Sequence, residues 1–317
     1  MTLKDIYEVF IQAGMKADLR GPKQVQKYLL DKKNQYKKLD AASRKFFDKE
    51  VLKNPYADSR ILHGDPKKPV KRVLVGIDID VGELLLADQL AQRGKGFDLV
   101  LSHHPKGVAL AGLHDVMSLQ TDLLVNLGVK DDIARDLMGQ RVAEVARGVH
   151  SSNHNRAVDA AKLLNISLMC CHTPADNHVA RYLQKLVNTM KPNTLKRLVS
   201  LLMKEPEYQY AALQKAGPQI IIGKENDKVG RVFVDMTGGT EGSKNVFPRM
   251  SQIGIQTLLG MHYSQAHFQK IKCEHISVVN AGHIASDNLG MNLMLDRLVT
   301  KGKFEIVACS GFRRVKR

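Results

Sequence analysis

The chain predicts an α/β protein of two similar lobes, preceded by a helical N-terminal extension. Three observations carry this. Apolar runs of strand length alternate with helical segments in both halves. The first two runs flank a helix, a strand–helix–strand unit that implies a parallel pair and a right-handed crossover. Lys191-Pro192 interrupts the alternation, so residues 56–190 and 191–317 read as lobes and 1–55 as the extension.

Thr2 and Asp5 form a capping box for a first helix whose Leu3, Ile6, Tyr7 and Phe10 share one face. Helical composition continues from Lys16 to Pro55, with a break at Gly21-Pro22. The core begins at Arg72. A strand follows at 73–79, then a helix capped by Asp80 with Glu83 at its third position and closed by Gly94 and Gly96. The next strand is 97–102. Residues 114–148 are helical in two pieces broken at Gly128, and 155–164 is a short helix. The third strand is 166–171, with a helix at 177–187. In the second lobe, helices at 194–203 and 208–215 precede strands at 219–222 and 229–235. A Gly-rich loop, 237–243, leads into a helix. Strands at 257–260, 275–280 and 304–308 enclose two further helices.

The composition, 44% apolar and 25% charged, is that of an ordinary globular protein. No apolar run reaches membrane-spanning length. The first helix carries charges where a signal peptide has its apolar region, so no targeting segment is expected. Cys170, Cys171, Cys273 and Cys309 lack CxxC spacing, and three of them lie in apolar runs. That is the pattern of buried thiols in a reducing cytoplasm, not of a disulfide frame or thiolate metal site. The net charge of +16 is compatible with nucleic acid, an anionic substrate or a solvated basic surface. With no Trp and 5% aromatics, stacking platforms for single strands are scarce.

Three apolar strands end in metal-type residues. The strand before Ser102 is followed by His103-His104-Pro105, and the strand through Cys171 by His172 and Asp176. The strand before Ala281 is followed by His283 and Asp287. Ligands collect at the carboxyl ends of strands in parallel sheets. His and Asp four apart share one face of a helical turn. Imidazole with carboxylate suits Zn, Fe, Mn or Co, and enough groups are present for two ions bridged by a carboxylate. Taken singly, each pair reads equally well as local capping; three of one kind favour ligands. His103 and His104 would then serve different ions.

These motifs resemble those of the Nif-three-like dinuclear-metal family, whose members often carry the label of type-two GTP cyclohydrolase. The resemblance rests on His103-His104-Pro105, His172-Thr173-Pro174-Ala175-Asp176 and Gly282-His283-Ile284-Ala285-Ser286-Asp287. The strand around Leu74–Asp78 and the loop Gly238–Gly242 add to it, so that it spans roughly residues 58–315. It implies two α/β lobes with mixed sheets and a metal cleft between them, in a protein that assembles as a hexamer. The implied ligands are His103, His104, Asp176, His283 and Asp287, with His172 beside the site. Two features depart from the family. Asp287 stands where Glu is usual, one methylene shorter, and residues 131–164 form a helical insertion, in which His150 and His154 read as exposed loop histidines.

The function expected is a metal-dependent hydrolase holding two divalent transition-metal ions and acting on a nucleotide or phosphorylated substrate. Glu241 is the candidate for proton transfer, and the backbone N–H groups of residues 238–243 are a candidate anion cradle, unless that loop is only a tight strand–helix turn. Two alternatives stand beside it. One is a non-catalytic metal-binding or regulatory scaffold, and the other a nucleic-acid-binding protein, motivated by charge alone.

Overall fold

A computed structural model describes residues 1–317. It is an α/β structure with two mixed sheets. The first contains β1 (Arg60–His63), β2 (Arg72–Gly76), β3 (Leu99–Ser102), β4 (Leu168–Cys170) and β9 (Glu305–Cys309), in the order β1-β4-β3-β2-β9. The second contains β5 (Gln219–Ile222), β6 (Val232–Asp235), β7 (Thr257–Gly260) and β8 (Ser277–Asn280), in the order β5-β8-β7-β6. β2, β3 and β4 run parallel with β1 antiparallel on β4, and β6, β7 and β8 run parallel with β5 antiparallel on β8. Both antiparallel strands carry a register shift, at Ile61/His63 and Ile220/Ile222. The lobes therefore repeat one topology, as the alternation predicts.

The central strands read as continuous apolar runs because both faces are covered. Leu99, Val100, Leu101, Leu168, Met169, Leu258 and Leu259 are all fully buried. One face of the first sheet packs on α4 (Val81–Gln92) and α8 (Arg156–Leu163) through Leu84, Ala87, Ala157 and Ala161. Its other face opens into a core shared with α1 (Leu3–Ala17), α6 (Ser118–Leu127), α14 (His283–Val299) and one face of the second sheet. The remaining face of the second sheet packs on α9 (Thr173–Met190) and α10 (Leu195–Leu202). The other helices are α2 (Pro22–Lys38), α3 (Ala41–Phe46), α5 (Gly107–Ala111), α7 (Asp131–His150), α11 (Pro206–Leu213), α12 (Phe247–Gln252) and α13 (Gln265–Cys273).

No strand is expected before Arg72, yet β1 forms: it has only four residues, includes Arg60 and His63, and gains its structure by pairing with β4, 105 or more residues later. The last strand, expected in the second lobe, joins the first sheet beside β2, so the chain crosses back after α14. The helical N-terminal segment is present, and α1 packs into the core. Its Leu3, Ile6 and Phe10 are fully buried, and Val70 donates a hydrogen bond to the Met1 carbonyl. Only α2 and α3 project: Val25 is the single buried residue of α2, and α3 buries none. Residues 131–164, expected as a helical insertion, form α7 and α8, and α8 covers the first sheet.

Two devices bring the ends of the parallel strands together. α9 follows β4 and α14 follows β8, and these helices touch at backbone distance. A Cβ placed on Gly290 would lie 2.5 Å from the Ala175 carbonyl oxygen. A buried hydrogen-bond chain then ties α9 to both flanks. Tyr56 donates to Asp18 (2.8 Å), Asn177 donates to Tyr56 Oη (3.2 Å), and Thr237 donates to Asn177 (2.6 Å).

Candidate metal centre

The three strand ends singled out in the sequence converge. His103 follows β3 and is fully buried. Its Nδ1 lies 3.1 Å from the Cys171 carbonyl oxygen, which can only accept, so Nδ1 carries the proton and Nε2 presents a lone pair. That Nε2 has no hydrogen-bond partner, and burial pulls the imidazole pKa down to about 4. His104 Nδ1 sits 2.7 Å from Asp78, which follows β2. His172, the N-cap of α9, has Nδ1 2.9 Å from Asp58. Such second partners fix which imidazole nitrogen faces a metal.

Asp287, in the first turns of α14, is the hub. Its Oδ1 lies 3.4 Å from His103 Nε2, while its Oδ2 lies 3.4 Å from His104 Nε2 and 3.6 Å from His283 Nε2. Asp176 Oδ1 lies 3.5 Å from His103 Nε2, and Asp176 Oδ2 lies 3.7 Å from His172 Nε2. Three groups therefore bring ligand atoms within 4.8 Å of one another: His103–Asp176–Asp287, His104–His283–Asp287 and His103–His104–His172. His172, expected only nearby, is a full member of the third. His150 and His154 belong to none of them.

Electrostatics separates the two carboxylates. Burial raises the Asp176 carboxyl to about 7. Burial would raise Asp287 as well, but the imidazoles of His103, His104 and His283 more than offset it and hold it far below the usual carboxylate range. His103 Nε2, Asp176 Oδ1 and both Asp287 oxygens are buried without partners. Orphaned buried polar atoms cost roughly 1–3 kcal/mol each. Four of them, all lone-pair donors aimed into one small volume, are what a cation satisfies. The residues fit a metal ion.

Glu241 lies at the edge of this cluster but not in it. It accepts a hydrogen bond from the Ser264 N–H (2.6 Å), and its two oxygens lie 3.7 Å from His262 Nδ1 and 3.5 Å from His267 Nδ1. Burial would raise its pKa, yet His262 and the Ser264 N–H pull it down to about 2. A carboxylate so held is an anion set beside His262 and His267. The Gly-rich loop is a packed wall. Gln120 Nε2 donates to the carbonyls of Gly238 (3.0 Å) and Thr240 (2.6 Å), and Arg141 donates to that of Glu241 (3.0 Å). Gly238 has φ +102°, and a Cβ there would strike Gln120 at 2.5 Å.

Sequence reasoning missed Asp58, Asp78 and His262. Asp78 and His262 obey the strand-end rule already in use. His262 follows β7 by two residues, as His104 follows β3, and its ring lies 4.7 Å from that of His283. The charge excess lies elsewhere: Lys23, Lys27, Lys33, Lys37 and Lys38 are exposed on α2. No helix is long and apolar enough to cross a membrane.

No family model matches the chain, and no curated protein matches it in sequence. Among solved structures, a NIF3 superfamily protein from Sphaerobacter thermophilus is 28% identical, with a TM-score of 0.72 over 82% of this chain and 93% of that one. Reduced HcgD from Methanocaldococcus jannaschii is 14% identical, with a TM-score of 0.52 over 84% of this chain and 94% of that one, a likeness of fold alone. Fold and cluster together thus define an α/β protein with buried His/Asp groups that can hold a metal ion. The fold is of the NIF3 kind.

Proposed function

We propose that this chain is a NIF3-like dinuclear-metal protein and a metal-dependent hydrolase. The observation that carries the reading is the position of Asp287. One oxygen faces His103 and the other faces His104 and His283, the arrangement of a carboxylate shared by two ions. His103, Asp176 and Asp287 would hold one ion, and His104, His283 and Asp287 the other, with His172 against both. A bound ion pair supplies Lewis acidity and an activated water near neutral pH. The chain's own residues prepare the site. Asp58, Asp78 and the Cys171 carbonyl set the imidazole orientations. His262, half-exposed beside His283 and backed by Glu241, is the group offered for proton transfer. Asp287, where the resemblance implies Glu, would offer the shared ligand on a side chain shorter by one methylene.

The test is turnover of zinc-, iron-, manganese- and cobalt-loaded protein against nucleotides, phosphoesters and cyclic amides. Turnover that His104→Ala abolishes is the expected result. Full metal loading with no turnover on any class would replace the enzyme reading with that of a non-catalytic scaffold. Assembly into a hexamer, by resemblance, and a cytoplasmic location, from the cysteine pattern, belong to the same proposal. Nucleic-acid binding draws on the net charge alone.

A further inference from the structure

The cluster opens into a chamber between the second sheet, the Gly-rich loop and helices α6 and α7. It is lined by His172, Asp176, His283 and Asp287 of the cluster and by Leu123, Leu124, Met138, Phe247 and Met250. We propose that this chamber is a subsite for a small uncharged or cationic group bearing an N–H edge, and not for a phosphate or a purine. The proposal rests on the metal reading of the adjoining cluster and adds what the cavity beside it accepts.

Charge excludes the phosphate. No Lys or Arg lines the chamber, whereas Asp176, Asp235, Glu241 and Asp287 do. The net charge of +16 therefore does not converge here. An anion in the chamber would meet apolar surface and these carboxylates, with no Lys or Arg to offset its desolvation. Size excludes the purine. The cavity is about 90 Å³, below the roughly 150 Å³ of an engineered apolar cavity that holds one benzene ring. A five-membered ring or a short branched chain fits; a fused bicycle does not.

Two polar groups then specify the edge. Asp235 ends β6, and Gly260 pairs with it at the end of β7. Tyr263 folds back over Gly260 so closely that a Cβ there would lie 2.4 Å from the Tyr263 hydroxyl. A carboxylate and a phenol are thereby set on adjacent strand ends, both lining the chamber. The phenol oxygen is buried without a partner. Burial lifts the Asp235 carboxyl to about 6, opposed only by the more distant His267 and His262. An acceptor and a donor held side by side match an amide N–H next to its carbonyl, as in a lactam. The N–H would donate to Asp235, and the Tyr263 hydroxyl would donate to the carbonyl oxygen.

The chain contains its own reporters. Met138, Met236, Met250 and Met261 line the chamber, whereas Met190 and Met203 do not. Protein labelled with 13C at the methionine methyls, zinc-loaded and zinc-free, is titrated with 2-pyrrolidinone, N-methyl-2-pyrrolidinone and inorganic phosphate. The expected result is that 2-pyrrolidinone shifts the chamber methyls, while the N-methyl analogue and phosphate leave them in place. Asp235→Asn and Tyr263→Phe should each weaken 2-pyrrolidinone roughly ten-fold, with the Met190 and Met203 signals unmoved as the check on folding. Phosphate shifting the chamber methyls, equal binding of the N-methyl analogue, or no response to 2-pyrrolidinone overturns the assignment. Elemental analysis of the same samples separates the two readings. Bound zinc without chamber shifts defeats the subsite alone, and chamber shifts in protein that binds no zinc defeat the metal centre alone.

Discussion

Asp287→Asn should abolish stoichiometric metal binding while leaving the fold in place. The amide is nearly the same size as the carboxylate, so the packing of α14 is preserved. It has one acceptor where the carboxylate has two, and no charge. Both oxygens are needed, because each faces a different set of imidazoles. Loss of an outer partner of a metal ligand costs about 10–100-fold in affinity; loss of the shared ligand should exceed the upper figure. The wild-type chain at a free-metal concentration one hundred times its Kd gains about 2.7 kcal/mol of stability, and the variant should gain none. Thermal unfolding with and without added zinc measures this directly. An unchanged zinc-dependent rise in Tm would remove Asp287 from the site.

The second large effect is mechanical. Gly290→Ala adds one methyl group, which would sit 2.5 Å from the Ala175 oxygen and 3.0 Å from its carbon. That neighbour is backbone and cannot rotate away, so α14 and α9 must part. Overpacking of this kind costs about 1–3 kcal/mol. Asp176 stands one residue beyond Ala175 and Asp287 one turn before Gly290, so metal affinity should fall with stability. Gly139→Ala is the control: it lies on the exposed side of α7 with nothing within 4 Å of an added Cβ, and helix propensity predicts a gain of about 1 kcal/mol. Chemical denaturation of both variants should give opposite signs. If Gly290→Ala is as stable as Gly139→Ala, close contact between these helices is not what holds the cluster together.

The parts of this protein that could be read from the sequence are those encoded locally. A buried parallel strand is a continuous apolar run, and the residue just past it faces the crevice, so His103, His104, His172, Asp176, His283 and Asp287 announced themselves by position and type. Asp78 and His262 obeyed the same rule and were passed over because each is a single residue without a paired motif. Asp58 gave no signal. It precedes a four-residue strand that exists only through its pairing with β4. The place of β9 in the first sheet is equally nonlocal, as its strand character is visible and its partner is not. Glu241 was chosen as the carboxylate of a Gly-rich loop; His262 and Ser264, brought to it by folding, fix it as an anion. The charge total suggested a phosphorylated substrate, yet folding leaves a run of lysines exposed on α2 and keeps every Lys and Arg out of the chamber.

The central claim is that three strand ends from two repeated lobes converge to hold a pair of ions. Elemental analysis of the purified chain after incubation with zinc, iron, manganese or cobalt and removal of excess tests it most directly. The account predicts about two ions per chain, and almost none in the double variant His103→Ala, His104→Ala. A wild-type chain that retains no metal under any of these conditions, or a double variant that retains as much as wild type, would contradict it.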